Sequence, residues 1–189
     1  MICSNIVMFL KKLSLINFRN YTTLDLDFDG RPTILLGNNA VGKSNLLESI
    51  YFLSTTKSQR VETEVELIKE GESGCQVEGE VDEAKQSLEI TMQILEGQFA
   101  KRVKVNGVQR RVVDFVGNLP AVIFYPSDIN MVTGPPSLRR WHLDLGLAQA
   151  DSEYKKYLTL YEQVLVSRNK VLKRIKLGEG ALDELTYWT

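Results

Sequence analysis

Eight consecutive residues, Gly37-Asn38-Asn39-Ala40-Val41-Gly42-Lys43-Ser44, fit the pattern G-x-x-x-x-G-K-[ST] at every position. The chemistry this spacing offers is phosphate binding. Two glycines let the backbone turn tightly and approach an anion with no Cβ in the way. Successive N–H groups then point inward, and a helix starting at Lys43 adds partial positive charge. Lys43 is placed to reach β- and γ-phosphates, and Ser44 to offer a hydroxyl to Mg²⁺. The same residues would serve a plain glycine-rich turn with a solvated lysine. The flanking elements decide between the two readings.

Those elements are legible from periodicity. Residues 33–36, Thr-Ile-Leu-Leu, read as a short buried strand, and residues 45–53 as an amphipathic helix. Strand, loop and helix in that order are what a phosphate cradle requires. Upstream, residues 9–18 and 23–28 alternate as strands, and Asp29-Gly30 turns the chain into the loop strand. Downstream, residues 76–82, 87–95 and 100–105 are predicted strands, and Asn106-Gly107 is a hairpin turn. Residues 121–125, Ala-Val-Ile-Phe-Tyr, read as a buried strand stopped by Pro126. The remainder is helical. One helix spans 137–149 and a second 152–177, closed by Gly178, with a third segment from about Ala181. The long second helix fits an antiparallel helical arm or a bundle helix equally well.

Composition sets outer limits. A chain of 189 residues holds one domain or a little more, and 43% apolar with 25% charged residues is ordinary for a globular protein. The net charge of -1 gives no overall nucleic-acid signal. The distribution is uneven, however. Residues 62–96 carry eleven acids and two lysines, whereas residues 139–176 carry nine cations and four acids. A cation-rich second half suits a DNA-facing surface, or simply a solvated helix face. Cys3 and Cys75 lack metal-ligand spacing and suggest a reducing, cytoplasmic setting. No apolar run is long enough to span a bilayer, and residues 1–7 lack the basic start and cleavage site of a signal peptide.

Five further landmarks share the chain with the phosphate loop. They are Phe18-Arg19-Asn20-Tyr21, Asn45-Leu46-Leu47-Glu48, Phe124-Tyr125-Pro126-Ser127-Asp128, Gly134-Pro135-Pro136-Ser137-Leu138-Arg139-Arg140-Trp141, and Tyr161-Glu162-Gln163 through Arg168-Asn169. In order and spacing the series resembles the RecF family of bacterial recombination mediators, itself similar to the ABC-type ATPase heads of SMC proteins. The resemblance covers nearly all the chain from Met8 onward. It implies an α/β P-loop NTPase fold of ABC/SMC-like type, with an antiparallel β subdomain and a helical arm. The corresponding divisions are an extension at 1–7, the ATPase lobe at 8–135 and the start of the helical lobe at 136–189.

The resemblance also implies partners and residue roles. Family members bind ATP and Mg²⁺, form ATP-dependent homodimers and bind double-stranded or gapped DNA. With RecR and RecO they help load the recombinase RecA at DNA gaps. Carried over by position, Gly37, Asn38, Asn39, Ala40, Val41, Gly42, Lys43 and Ser44 correspond to the Walker A loop. Arg19 corresponds to an arginine near the nucleotide, and Ser44 and Asp128 to Mg²⁺ contacts, with Ser127 beside the latter. Arg60, Arg139 and Arg140 are DNA-contact candidates. Asp128 also suits a helical cap, and the arginine pair also suits anchoring of its helix. His142, the only histidine, stands beside Trp141 and suits packing better than catalysis.

A complete head of this kind also needs a signature motif, a Walker B strand ending in a carboxylate, and a switch histidine. None is found among these residues, and Leu182-Asp183-Glu184 has the acids in a helical context. The sequence therefore reads as the N-terminal part of such a head, incomplete, with no catalytic residue of its own. Weak or no hydrolysis by these residues alone is the expectation. Other classes consistent with a phosphate loop are a small-molecule kinase and a non-enzymatic interaction module.

Overall fold

The structure, a computed structural model, describes residues 8–82, 85–181 and 184–185, apart from the side chain of Ser127. The expected extension 1–7 with Cys3, the Ser127 side chain and the start of a third helix at 182–183 lie outside them. The chain divides into two compact units, Met1–Pro135 and Pro136–Thr189.

The first unit is built on one antiparallel sheet. Its strands are β1 (Leu10–Phe18), β2 (Tyr21–Asp27), β3 (Gly74–Val81), β4 (Gln86–Leu95), β5 (Gln98–Val105) and β6 (Val108–Arg110), in the order β2-β1-β3-β4-β5-β6. Alternation puts Leu13 and Leu15 of β1, Cys75, Val77 and Val81 of β3, and Leu88, Ile90 and Met92 of β4 on one buried face. The Asn106-Gly107 turn has both residues at positive φ, and so does Glu96-Gly97 between β4 and β5. Two-residue turns of this hand match the twist of the strands they join.

Helix α1 (Lys43–Thr55) lies across that face. Its Leu46, Phe52 and Leu53 join the strand side chains in one core. Gly79 permits the close approach, because a Cβ there would stand 2.5 Å from Leu53 Cδ2. At the far end of α1, Lys101 of β5 donates to the Thr56 carbonyl at 3.1 Å and pairs with Glu64 at 2.6 Å. A cation at a helix C-terminus also meets the negative end of the dipole.

Two irregularities in β1 aim its last residues. The register with β3 shifts between Leu10 and Lys12, keeping Leu10 on the core face. Near the other end Asn17 takes φ 50, a left-handed conformation that asparagine tolerates. The strict alternation 13, 15, 17 is thereby broken, and Phe18 enters the core instead of Asn17. Arg19 follows at φ 55, and its N–H donates to the Leu67 carbonyl at 2.8 Å.

Two expected strands are absent from the described structure. Residues 33–36 and 121–125 belong to no strand among the described residues. Their side chains still alternate: Leu35 packs on the core, while Ile34 and Leu36 are 81% and 88% exposed. Ile123 is half-buried between Val122 at 98% and Phe124 at 77%. A strand exists only where a neighbour completes its hydrogen bonds.

Two short helices, α2 (Val112–Phe115) and α3 (Asn130–Thr133), complete the first unit. The second is a pair of helices, α4 (Pro136–Ala150) and α5 (Ser152–Lys176). Asp151 caps α5, accepting from the N–H groups of Glu153 and Tyr154 at 2.8 and 3.2 Å. Tyr154 ties the helices together by donating to Asp144 at 2.6 Å. Neither helix has a buried residue except Ala148.

Candidate functional site

The phosphate loop enters α1 through Gly42, which sits at φ 113. Only glycine adopts that conformation cheaply. A side chain is also excluded by its neighbours: a Cβ would lie 2.7 Å from Asn20 Nδ2 and 2.9 Å from the Tyr21 hydroxyl. Among the described residues, no N–H from Gly37 to Gly42 donates to a protein acceptor. Such a run of free donors at a helix start is what an anion needs. Lys43 turns back over the loop, and its Nζ donates to the carbonyls of Gly37 and Asn38, both at 2.7 Å. Ser44 is exposed in the first turn of α1.

Behind the loop lies a buried carboxylate. Glu48 stands one turn beyond Ser44, is 1% exposed, and accepts four hydrogen bonds. Arg19 Nε and Nη2 approach at 3.1 and 2.8 Å, Arg60 Nη1 at 2.9 Å and Ser58 Oγ at 2.5 Å. A charge this deep costs several kcal/mol unless it is paired and fully hydrogen-bonded, and here it is both. Arg19 Nη1 also donates to the Glu66 carbonyl at 3.2 Å, so every nitrogen of that guanidinium has a protein acceptor. Glu66 belongs to the 3₁₀ turn Glu64–Leu67, where its carboxylate accepts the Thr63 N–H at 2.8 Å. The backbone and side-chain bonds from Thr63 hold that carboxyl below its ordinary range.

A hydrogen-bonded chain runs from this charge cluster to the loop. Arg60 Nη1 donates to Asn45 Oδ1 at 2.9 Å, Asn45 Nδ2 to Asn20 Oδ1 at 2.9 Å, and Asn20 Nδ2 to the Val41 carbonyl at 3.1 Å. Tyr21 adds a bond from its hydroxyl to the Gly42 carbonyl at 3.1 Å. An open cleft of about 740 Å³ lies beside these groups, lined by Arg19, Asn20, Asn45, Ile68 and Lys69 among others. Tyr125 comes within electrostatic reach of the cluster. Burial, reinforced by the charge of Glu48, pushes its phenol up to about 12.

Asp128, in the 3₁₀ turn Pro126–Ile129, is buried, and its Oδ2 accepts the Tyr125 N–H at 2.7 Å. That bond reaches back across the turn, as a carboxylate at the third position of a helix does. Arg139 and Arg140 lie in the first turns of α4, both exposed. His142 packs its ring edge-on to Trp141 with centroids 4.9 Å apart. Among the described residues there is no cluster of three His, Cys, Asp or Glu that could hold a metal ion, and no helix long and apolar enough to cross a membrane.

Sequence reasoning singled out the loop but gave no role to Glu48, Asn45, Asn20 and Tyr21, which it met only as landmark residues, nor to Ser58. One signal was available. Glu48 interrupts the apolar run of α1, and a charge on a buried helix face demands a cation. Which arginines answer it depends on the left-handed turn at residues 17 and 19, which spacing does not show.

Comparisons with known proteins find related sequences and structures. Residues 9–128 match the RecF/RecN/SMC N terminal domain. The chain is 38% identical over 179 residues to the DNA replication and repair protein RecF of Halalkalibacterium halodurans, covering 94% of this chain and 47% of that protein. It is 37% identical over 184 residues to RecF of Bacillus subtilis (strain 168), covering 95% and 49%. A solved structure described as the recombination mediator protein RecF-ATP in the RecFOR pathway superposes with a TM-score of 0.87 at 35% identity, covering 96% of this chain and 49% of that one. The chain thus spans about half the length of the relatives it matches.

Proposed function

The chain belongs to the RecF/RecN/SMC N terminal domain family, and from that premise we propose that it carries the ATP-binding part of a RecF-type recombination and repair mediator. The observation that carries this reading is the loop at 37–44. Its N–H groups are free to take phosphate oxygens, and Lys43 stands over them at the start of α1. The residues fit a triphosphate: backbone donors of the loop are unspent, and among the described residues no acidic side chain hydrogen-bonds to the loop. Ser44 is the residue whose hydroxyl would hold Mg²⁺, a cation that takes oxygen ligands. When bound, the metal neutralises phosphate charge. The protein's part is to hold and orient.

As a RecF-type chain it would act as a homodimer on double-stranded or gapped DNA, with RecR and RecO, in service of RecA loading. The exposed cations of α4 and α5, Arg139 and Arg140 among them, supply a sequence-independent surface for phosphate contacts. Hydrolysis is not part of this proposal.

Lys43→Ala tests the ATP reading by calorimetric titration with Mg·ATP. Loss of charge-assisted bonds worth ~1.5–3 kcal/mol each should weaken binding at least tenfold. Equal affinity in parent and variant would refute the assignment.

A further inference from the structure

We propose that Asn20, on the turn between β1 and β2, and Tyr21, the first residue of β2, are positioning residues that set the orientation of the phosphate loop's last two peptide planes. The inference rests on the ATP reading above and concerns how that site is held.

A trans peptide is planar, so its carbonyl and the following N–H point in opposite directions. Fixing one fixes the other. Asn20 Nδ2 holds the Val41 carbonyl at 3.1 Å, which turns the Gly42 N–H to the opposite side. The Tyr21 hydroxyl holds the Gly42 carbonyl at 3.1 Å, alongside the first helical bond from the Leu46 N–H at 2.9 Å. The Lys43 N–H is thereby aimed out of the helix start. Both N–H groups are left for an anion, on the side away from β2.

The orientation of Asn20 is itself determined. Its Oδ1 accepts from Asn45 Nδ2, so its Nδ2 must face Val41. Asn45 cannot flip either, because its Oδ1 accepts from Arg60, which the buried Glu48 anchors. The turn is set from the other side by Arg19, whose guanidinium grips the same Glu48. Asn20 and Tyr21 also close over Gly42 so tightly that a single methyl group would collide with both. These contacts join residues about twenty apart into one unit, and no other described side chain donates to the Val41 or Gly42 carbonyl.

The test uses the whole chain and three variants. Tyr21→Phe deletes one hydroxyl. Asn20→Asp keeps an acceptor for Asn45 but sets a charged carboxylate oxygen where the donor to Val41 stood, and Asn20→Ala deletes both groups without adding charge. Titration with Mg·ATP and with Mg·tripolyphosphate should each show about five- to tenfold weaker binding in Tyr21→Phe, the effect of one lost hydrogen bond, and at least that loss in both Asn20 variants. The thermal midpoint of ligand-free Tyr21→Phe should stay within about 2 °C of the parent. In amide NMR spectra, the Gly42 and Lys43 protons should move downfield with tripolyphosphate in the parent and by much less in the variants. Parent-like affinity and parent-like amide shifts in Tyr21→Phe and Asn20→Asp would overturn the inference alone. A loss for ATP but not for tripolyphosphate would overturn it too, since the side chains would then act on the nucleoside. A parent chain that binds neither ligand would overturn the ATP reading and this inference with it.

Discussion

Helix α5 and the segment at 121–125 both hold apolar side chains in open solvent, yet only α5 has regular structure. Tyr157, Tyr161 and Val166 of α5 are more than half exposed, much as Val122 and Phe124 are. The difference is where the hydrogen bonds come from. A helix closes its bonds within itself, so 25 residues with a cap at Asp151 hold their form with a bare apolar stripe. An extended segment has no internal partner and becomes a strand only in company. Apolar patterning therefore reports two things: the conformation a segment prefers, and a surface it expects to meet. α5 displays the first without the second. Residues 121–125 keep their alternation but belong to no strand among the described residues.

That contrast is open to attack at three points. The largest effect should come from Val164→Pro, which removes an interior helical bond and clashes with the preceding turn. It should cost ~3 kcal/mol of local stability and a visible part of the circular dichroism at 222 nm. Val122→Pro, by contrast, should leave that signal unchanged, and an equal loss from both would break the comparison. An intermediate effect is expected from Asp151→Ala. Deleting the acceptor for the Glu153 and Tyr154 N–H groups should lower the stability of α5 by ~1 kcal/mol, read as faster amide exchange in its first turn. The smallest belongs to Phe124→Ser. A side chain so exposed should change the unfolding free energy by less than ~0.5 kcal/mol in urea titration. A cost several times larger would show that residues 121–125 already have a packing partner.

The same distinction explains how much was legible in the sequence. Strands β3, β4 and β5 announced themselves by alternation, and the hairpin after β5 by Asn106-Gly107, since their partners are adjacent in the chain. The phosphate loop was equally plain, because a cradle of backbone donors is written in consecutive residues. Residues 33–36 and 121–125 were read as strands from local pattern, and the pattern is present; what no window contains is the neighbour. The support of the loop was hidden for a related reason. Arg19 and Glu48 are separated by 29 positions, and Asn20 and Val41 by 21. Their meeting depends on left-handed backbone at Asn17 and Arg19, which re-aims the end of β1. Conformations of that kind are chosen by the tertiary structure, and asparagine merely allows them.

With its ammonium on the Gly37 and Asn38 carbonyls, Lys43 holds the loop in a closed curve before any ligand arrives. Anion capture is then an exchange of partners. The measured enthalpy reflects the difference between carbonyl and phosphate acceptors, and the entropic penalty of ordering the loop has already been met in folding. Tightness and speed become separable: a loop fastened by its own cation resists collapse, while the rate of capture follows how often that cation lets go.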